Sequence, residues 1–278
     1  MEPVNWELHR VRLGTMRLRN ELFVIGVTLL LCSGAAAEDG LRTFRAWEAF
    51  PVGAWKEVRV TKQSLKADGS VASTSVAETR TTLAGIDERG VTLHIDVTVE
   101  VENKRLPSSH QEVWYGFNGE SRGQSVTIER LTQEAVEVDG ERLSARVYRL
   151  GTQESGLRRE SRVQVVERFP YVLEKRSSLI DVRGDAVTEL ETLVANVLSL
   201  DLPHEVGGEL TDSCHVKTVL QTRDARIHTV EVFCANVPGW VVAHWSKRLD
   251  AQGRMLERST LELMDFGFEE VPPRDESR

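Results

Sequence analysis

The sequence predicts a mainly β protein in which antiparallel strands form an open sheet, with tandem β repeats and a short N-terminal helix. Three observations predict this class. One long segment alternates strictly between apolar and polar residues, glycine-containing turn dipeptides recur along the chain, and several landmarks repeat at one common offset.

The clearest strand is Val91–Val101. Its residues Val91, Leu93, Ile95, Val97, Val99 and Val101 fall on one face, and Thr92, His94, Asp96, Thr98 and Glu100 on the other. A period of two over this length is typical of a half-buried antiparallel strand. Shorter β-rich segments are predicted at Trp55–Thr61, Val71–Leu83, Gln124–Arg130, Ala145–Leu150, Arg162–Arg168, Val172–Leu179, Val187–Val197, His215–Gln221, Arg226–Phe233, Val241–Lys247 and Leu256–Met264.

Turn dipeptides separate these segments. They are Asp68-Gly69, Arg89-Gly90, Asn118-Gly119, Asp139-Gly140, Arg183-Gly184 and Gln252-Gly253. Glycine supplies the positive φ that tight hairpins require, so the spacing favours an open sheet, a sandwich or a barrel. Only Leu41–Ala49 has a helical pattern, with Leu41, Phe44 and Trp47 on one face.

The C-terminal half of the chain predicts an internal duplication. Val138-Asp-Gly-Glu aligns with Val206-Gly-Gly-Glu at an offset of 68, and Phe169-Pro aligns with Val237-Pro at the same offset. The alternative is chance reuse of valine, proline and glycine. We therefore predict an N-terminal β-rich region (38–135), a first repeat (136–200), a second repeat (201–270) and a disordered tail (271–278).

The N-terminus predicts export. Arg17 and Arg19 precede the apolar run 22–31, and small residues follow at positions 34–37. These are the three parts of a secretory signal, and the run is too short to span a bilayer. We place cleavage of the signal peptide (1–37) after Ala37, which predicts a periplasmic or secreted protein; lipidation at Cys32 is the alternative, and translation starts at Met1 or Met16.

Removing residues 1–37 takes away four basic and three acidic residues and changes the net charge from −8 to about −9. A mature chain of this charge has no basic stripe for a phosphate backbone, so we expect no nucleic-acid partner. We expect contact with a membrane only through the signal peptide or through lipidation at Cys32. The cysteines that survive are Cys214 and Cys234, which predicts a disulfide in an oxidising compartment, with two buried thiols as the alternative.

The second repeat also carries a resemblance. Its landmarks are Val206-Gly-Gly-Glu, Cys214, Val237-Pro-Gly-Trp-Val-Val and Leu261-Glu-Leu-Met-Asp-Phe-Gly-Phe. They resemble those of a loose group of exported bacterial proteins of unknown function, over about a quarter of the chain. The whole also resembles the half-open barrel of periplasmic lipoprotein carriers of the LolA/LolB kind, which would imply a half-barrel-like sheet whose apolar concave face shelters acyl chains.

Residues that could carry chemistry are sparse. The sequence contains no nucleophile elbow, phosphate loop, HExxH or CxxC motif, so no catalytic residue, metal ligand or cofactor is predicted. His94 with Asp96, and His110 with Glu112, share strand faces and are expected to be wet surface pairs. The leading hypothesis is a non-catalytic binding or scaffolding protein of the cell envelope, whose partner is an apolar or lipid-like ligand or an envelope protein. An envelope hydrolase with an acidic or histidine site and a structural protein that binds other proteins are the alternatives.

Overall fold

The structure is a computed structural model that describes residues 46–102, 104–183 and 187–268. Fifteen strands and no helix are found in these ranges. The strands are β1 Ala54–Leu65, β2 Val71–Ile86, β3 Gly90–Val101, β4 Lys104–Arg105, β5 Ser109–Gly116, β6 Val126–Arg130, β7 Glu134–Val138, β8 Glu141–Glu154, β9 Leu157–Val165, β10 Val172–Asp181, β11 Thr188–Val206, β12 Glu209–Thr222, β13 Ala225–Phe233, β14 Val241–Asp250 and β15 Met255–Phe268.

All the strands belong to one antiparallel sheet. Its order is β4-β3-β2-β1-β15-β14-β13-β12-β11-β10-β9-β8-β6, with β5 also on β3 and β7 also on β8. Most neighbouring strands are consecutive in the chain and are joined by hairpins. By contrast, β1 and β15 come from opposite ends of the described chain and pair with each other within the sheet. The sheet therefore has two edges, one at β4 and β5 and the other at β6 and β7.

The connection from β5 to β6 requires this sheet to curl. The order has thirteen strand positions, so a flat sheet would place its two edges roughly 58 Å apart at about 4.8 Å per strand. Gly116 ends β5 and Val126 begins β6, and ten Cα steps span at most about 36 Å. A hydrogen bond from the Leu200 amide on β11 to the Asp139 carboxylate beside β7 (2.7 Å) joins strands that are not neighbours, as curling demands.

The concave side of this sheet, here called the inner face, carries the main core. Cross-strand partners on this face include Cys214 with Phe233 and Leu193 with Leu220. The main cluster extends from β1 through β15 to β8, and a second cluster covers β3 around Leu93. Burial of both clusters on one face explains why so many strands alternate between apolar and polar residues.

The sequence predicted the central strands of the sheet but missed several strands at its two edges. All twelve predicted strands overlap observed strands, whereas β4, β5 and β7 were not predicted. The expected turn at Asp139-Gly140 is confirmed, with φ of 52° and 75° at its two residues. The predicted helix lies mostly outside the described residues, and its described part, 46–49, is a turn. The signal peptide, Ala37, Cys32 and the tail 271–278 also lie outside them.

Strand positions follow the offset that suggested a duplication. Strands β8 and β9 begin at 141 and 157, and β12 and β13 begin 68 residues later, at 209 and 225. Strands β10 and β14 begin at 172 and 241, which is 69 residues apart. The second set of strands therefore has one more residue before β14 than the first set has before β10. The duplication itself, and the division of the chain at 135 and 200, stay predictions.

A buried polar cluster as the candidate functional site

Two titratable side chains lie opposite each other on the inner face. Glu231 on β13 pairs in register with His244 on β14. Their exposed fractions are 0% and 4%. Glu231 has the same strand phase as Phe233, a member of the main core, and Ile227, which is partly buried and packs against that core. The acid and the imidazole therefore share an apolar environment.

Burial changes the protonation of both groups. Neither carboxyl oxygen of Glu231 has a hydrogen-bond partner among the described residues, and the same is true of Nδ1 of His244. Loss of solvent raises the pKa of Glu231 to about 8, although the Lys56 charge partly opposes this. Loss of solvent lowers the pKa of His244 to about 4. Both side chains are consequently uncharged near neutral pH.

Lys56 lies at the end of this cluster. Its Nζ donates to the carbonyl oxygens of Val241 (3.1 Å) and Gly239 (3.4 Å). Because β15 lies between β1 and β14, the lysine side chain must cross β15 to reach these acceptors. Its ammonium also lies 5.9 Å from the centre of the Trp47 ring. Lys56 therefore ties β1 to the beginning of β14.

A row of hydroxyl groups crosses the inner face beside the pair. Thr218, Thr229, Ser246 and Ser259 occupy consecutive register positions on β12 to β15. Thr229 and Ser246 are hydrogen-bonded through their hydroxyls at 3.1 Å, and Ser259 Oγ lies 3.5 Å from His244 Nε2. The buried Thr218 hydroxyl has no partner among the described residues. We call Glu231, His244, Lys56 and this row the inner polar cluster.

The chemistry open to this cluster is limited by its burial. A neutral carboxyl and a neutral imidazole could exchange a proton with a bound molecule, but neither side chain reaches solvent. Within the described ranges, no group of three or more histidine, cysteine, aspartate or glutamate side chains is arranged to hold a metal ion. The cluster is better suited to hydrogen bonding than to ion binding.

The predicted disulfide between Cys214 and Cys234 is not supported. The two sulfur atoms are not bonded to each other, and both side chains are buried. Cys214 lies opposite Phe233 and packs in the main core. Cys234 follows Phe233 directly and packs in a separate cluster with Val206 and Val232. Cys214 lies within β12 and Cys234 lies just beyond the end of β13, and the two thiols pack in different clusters.

The four residues His94, Asp96, His110 and Glu112 lie together on the polar face of β3 and β5, but their contacts cross between the strands and do not join the pairs noted in the sequence. His94 Nε2 lies 3.2 Å from Glu112, and His110 Nδ1 lies 2.8 Å from Asp96. The two imidazole rings are 5.3 Å apart. All four side chains are substantially exposed, so they lie at the surface as expected, with partners exchanged between the two strands.

A second polar feature is a groove of about 320 Å³ over β8 to β11. Three of its arginines, Arg149, Arg162 and Arg176, occupy opposed positions on β8, β9 and β10. Each is paired with a glutamate, and these partners are Glu129, Glu134 and Glu174. Because each of these arginines already has a glutamate partner, we interpret the groove as a surface of ion pairs rather than as an anion-binding site.

The inner polar cluster was missed in the sequence. The signal was nevertheless present, since Glu231 falls in the phase of Ile227 and Phe233 along β13. His244 gave no comparable signal, because the register shift between Val232 and Phe233 changes the phase of β14. Lys56 was not recognised as buried either. The buried positions of β1 alternate on both sides of it, at Ala54 and Val58, but a lysine at such a position is rarely buried.

Comparisons with known proteins give little beyond this. No family model matches the chain, and no curated protein matches it. A Bacteroides fragilis protein described as exported, with a YmcC-like fold, is 10% identical over 78% of this chain and 96% of its own, at a TM-score of 0.33. A Parabacteroides distasonis protein described as a lipoprotein is 8% identical over 76% of this chain and 95% of its own, at a TM-score of 0.31.

At these scores neither likeness supports an argument about this chain. The resemblance to periplasmic lipoprotein carriers likewise finds no support in the comparisons. None of the residues in 46–102, 104–183 or 187–268 forms a helix with the length and apolar character needed to cross a membrane.

Proposed function

We propose that this chain is an exported, non-catalytic binding protein of the cell envelope that holds an apolar or lipid-like molecule against the inner face of its sheet. One observation carries the proposal. Apolar side chains also lie on the inner face around the packed core, where Val60, Val113, Tyr115, Ile128 and Ile227 are only half-buried. The signal-like N-terminus supports the periplasmic or secreted location.

The shape of such a ligand follows from the surfaces available to it. Half-buried valine, isoleucine and tyrosine side chains would gain about 25 cal/mol for each Å² that an apolar chain covers. The inner polar cluster lies on the same face but is buried, so a ligand would contact the half-buried apolar side chains and not Thr218 or Glu231. A molecule with an apolar chain would match these half-buried side chains.

A hydrolase is the competing hypothesis, and the geometry favours it less. Glu231 and His244 form an acid–base pair, but a substrate could reach them only after the core opened. The exposed His94–Glu112 and His110–Asp96 pairs lack a neighbouring nucleophile among the described hydrogen bonds. We therefore propose binding rather than turnover.

The test is native mass spectrometry of the processed protein, purified from its own envelope without detergent. An adduct with the mass of a lipid or other apolar molecule, lost on denaturation, is the expected result. Titration with cis-parinaric acid, a fluorescent fatty acid, then locates the site through a matched pair of variants on β13. Ile227→Asn changes the inner face and should weaken binding, whereas Val230→Asn changes the opposite face and should not. An adduct-free mass together with no fluorescence response would refute the proposal.

A further inference from the structure

Strand β5 is an edge strand with few of the features that usually protect an edge. It pairs with β3 on one side only, and that pairing runs from Ser109 to Gly116 without a register shift. Its sequence, SHQEVWYG, contains no lysine and no proline. Natural edges are commonly blunted by lysine, proline, bulges or a covering loop. In the described residues, β5 therefore presents a straight row of backbone N–H and C=O groups.

The chain that follows β5 directs its backbone hydrogen bonds away from this edge. The Gly116 amide donates to Glu120, and the Phe117 amide donates to Arg89 in the turn between β2 and β3. A second local turn closes between Ser121 and Gln124. The loop thus bonds to itself and to the end of the sheet, and then enters β6.

Strand β6 is the facing edge. It pairs with β8 and with no other strand of the described sheet. The nine residues between β5 and β6 hold the end of β5 within about 36 Å of the start of β6. The two strands are nevertheless not paired. We call the opening between them the seam.

The side chains along the seam define what would fit there. On β5, Val113 and Tyr115 face inward beside the β3 core together with the polar Ser109 and Gln111, and His110, Glu112 and Trp114 face outward. On β6, Ile128 faces inward beside Leu150. A strand placed beside these edges would meet apolar side chains on its inward side near the β5–β6 connection, where Val113, Tyr115 and Ile128 lie, and polar side chains farther from it.

From these contacts we infer that the seam is a docking site for one extended segment of a partner polypeptide, with alternating apolar residues that face inward beside Val113 and Tyr115. The backbone of β5 supplies the hydrogen bonds, and the inward side chains supply the selectivity for the alternating pattern. This inference does not depend on the proposed apolar ligand, because it concerns the edge of the sheet rather than the inner face.

The experiment uses hydrogen–deuterium exchange on the purified protein and a defined probe. The probe is a nine-residue peptide of alternating threonine and valine with a lysine at each end. The expected result is slower exchange of the 109–116 amides, by roughly tenfold or more, when the peptide is added at about 1 mM. The control peptide carries N-methyl groups on its valines, which removes backbone donors while keeping the side chains, and it should give no protection.

A matched pair of protein variants separates the seam from general effects. Val113→Lys places a charge on the inward side of the edge, as protected edges do, and should weaken peptide binding about tenfold or more. Glu112→Lys adds the same side chain on the outward side and should change binding by less than about threefold. Unchanged exchange in β11 to β13 shows that each variant is folded.

Three results would overturn the inference. They are equal protection by both peptides, protection outside β5 and β6, and no protection by either peptide in the wild-type protein. Slow exchange of 109–116 without peptide, lost on dilution, would identify a second copy of the chain as the occupant and would also overturn it. None of these outcomes bears on the binding of cis-parinaric acid, so the two proposals fail separately.

Discussion

Glu231 and His244 face each other across β13 and β14, and burial shifts their pKa values in opposite directions. The unfolded Glu231 carboxyl loses its proton near pH 4.5, whereas the folded one keeps it to about 8. The unfolded His244 imidazole gains a proton near 6.5, whereas the folded one does so only near 4. Glu231 therefore removes stability as pH rises from 4.5 to 8, and His244 removes stability as pH falls from 6.5 to 4. Between pH 4.5 and 6.5 the two effects oppose each other.

Above pH 6.5 the effect of Glu231 stands alone, and Glu231→Gln should remove it. A carboxyl that is protonated in the folded state and ionised in the unfolded state lowers the free energy of unfolding by at most about 1.4 kcal/mol for each pH unit. The wild type should therefore lose about 2 kcal/mol between pH 6.5 and pH 8. The side-chain amide of the Glu231→Gln variant cannot ionise, and its stability should be nearly flat over that range. Urea unfolding at the two pH values measures the difference. An equal loss of stability in the wild type and the variant would show that ionisation of Glu231 does not cause the pH dependence.

Below pH 6.5 the corresponding test is His244→Gln. Burial of the neutral imidazole should remove about 2 kcal/mol between pH 6.5 and pH 5, because only the unfolded state takes up the proton, and in the wild type the opposite effect of Glu231 offsets this loss. The variant lacks this effect and should retain correspondingly more of its stability over the same interval. Comparing the two unfolding curves at each pH cancels the titration of surface carboxylates, which both proteins share. An identical pH dependence would mean that His244 is solvated in the folded state.

The contact of Lys56 with β14 predicts a cost for Lys56→Met. The side chain keeps its length and apolar stem but loses the hydrogen bonds to Gly239 and Val241, so a loss of about 1–2 kcal/mol is expected at pH 6. Lys62→Met is the control on the same strand and face, since Lys62 makes a partly exposed ion pair with Glu257 at 3.0 Å. That pair should contribute less than about 1 kcal/mol. Equal losses of unfolding free energy would show that the Lys56 hydrogen bonds have no special role.

The cysteines give a direct test of the structure against the sequence. The structure contains two thiols, and burial raises the pKa of Cys234 to about 11. Without reductant, the native protein should resist iodoacetamide, and the processed protein in urea should gain an alkyl group at each of Cys214 and Cys234 by mass. A disulfide between Cys214 and Cys234 would instead block alkylation in urea until reductant is added. That outcome would restore the pairing expected from an oxidising compartment.

Local sequence signals explain which parts of the fold could be predicted. Strand β3 alternates apolar and polar residues over its whole length, and the hairpin turns at Asp139-Gly140 and Gly253 carry their own glycine signals. Strand β5 has only Val113 and Tyr115 as apolar inward residues, and β7 has five residues, so neither produces a clear period. The pairing of β1 with β15 joins residues roughly 200 positions apart, such as Val60 and Leu261.

No local pattern encodes such a pairing, and the inner polar cluster depends on it. Lys56 comes from β1 and its acceptors come from the start of β14, so they meet only after β1 and β15 have paired. The Glu231–His244 pair is nearer in sequence, but a register shift separates its phase from that of Phe233 and Val241. The sequence could therefore indicate a buried acid on β13 without indicating its neighbours.

The loop before β14 provides a prediction in which backbone strain and steric contact are separated. Gly239 has φ of +71°, and an added Cβ would lie 2.8 Å from the Trp47 indole. Gly253 has φ of +80° and no atom within 4 Å of the same position. Alanine at either site forces a left-handed conformation and should cost about 1 kcal/mol.

Only Gly239→Ala must also displace a buried tryptophan, so its total loss of unfolding free energy should be about 2–4 kcal/mol, measured by urea unfolding beside Gly253→Ala. A change in tryptophan fluorescence of the folded Gly239→Ala variant should accompany the larger loss, because the Trp47 ring packs on this glycine and beside Lys56. If the two variants lose equal stability, Trp47 does not pack against the 234–240 loop, and the contact that closes this end of the sheet is wrong.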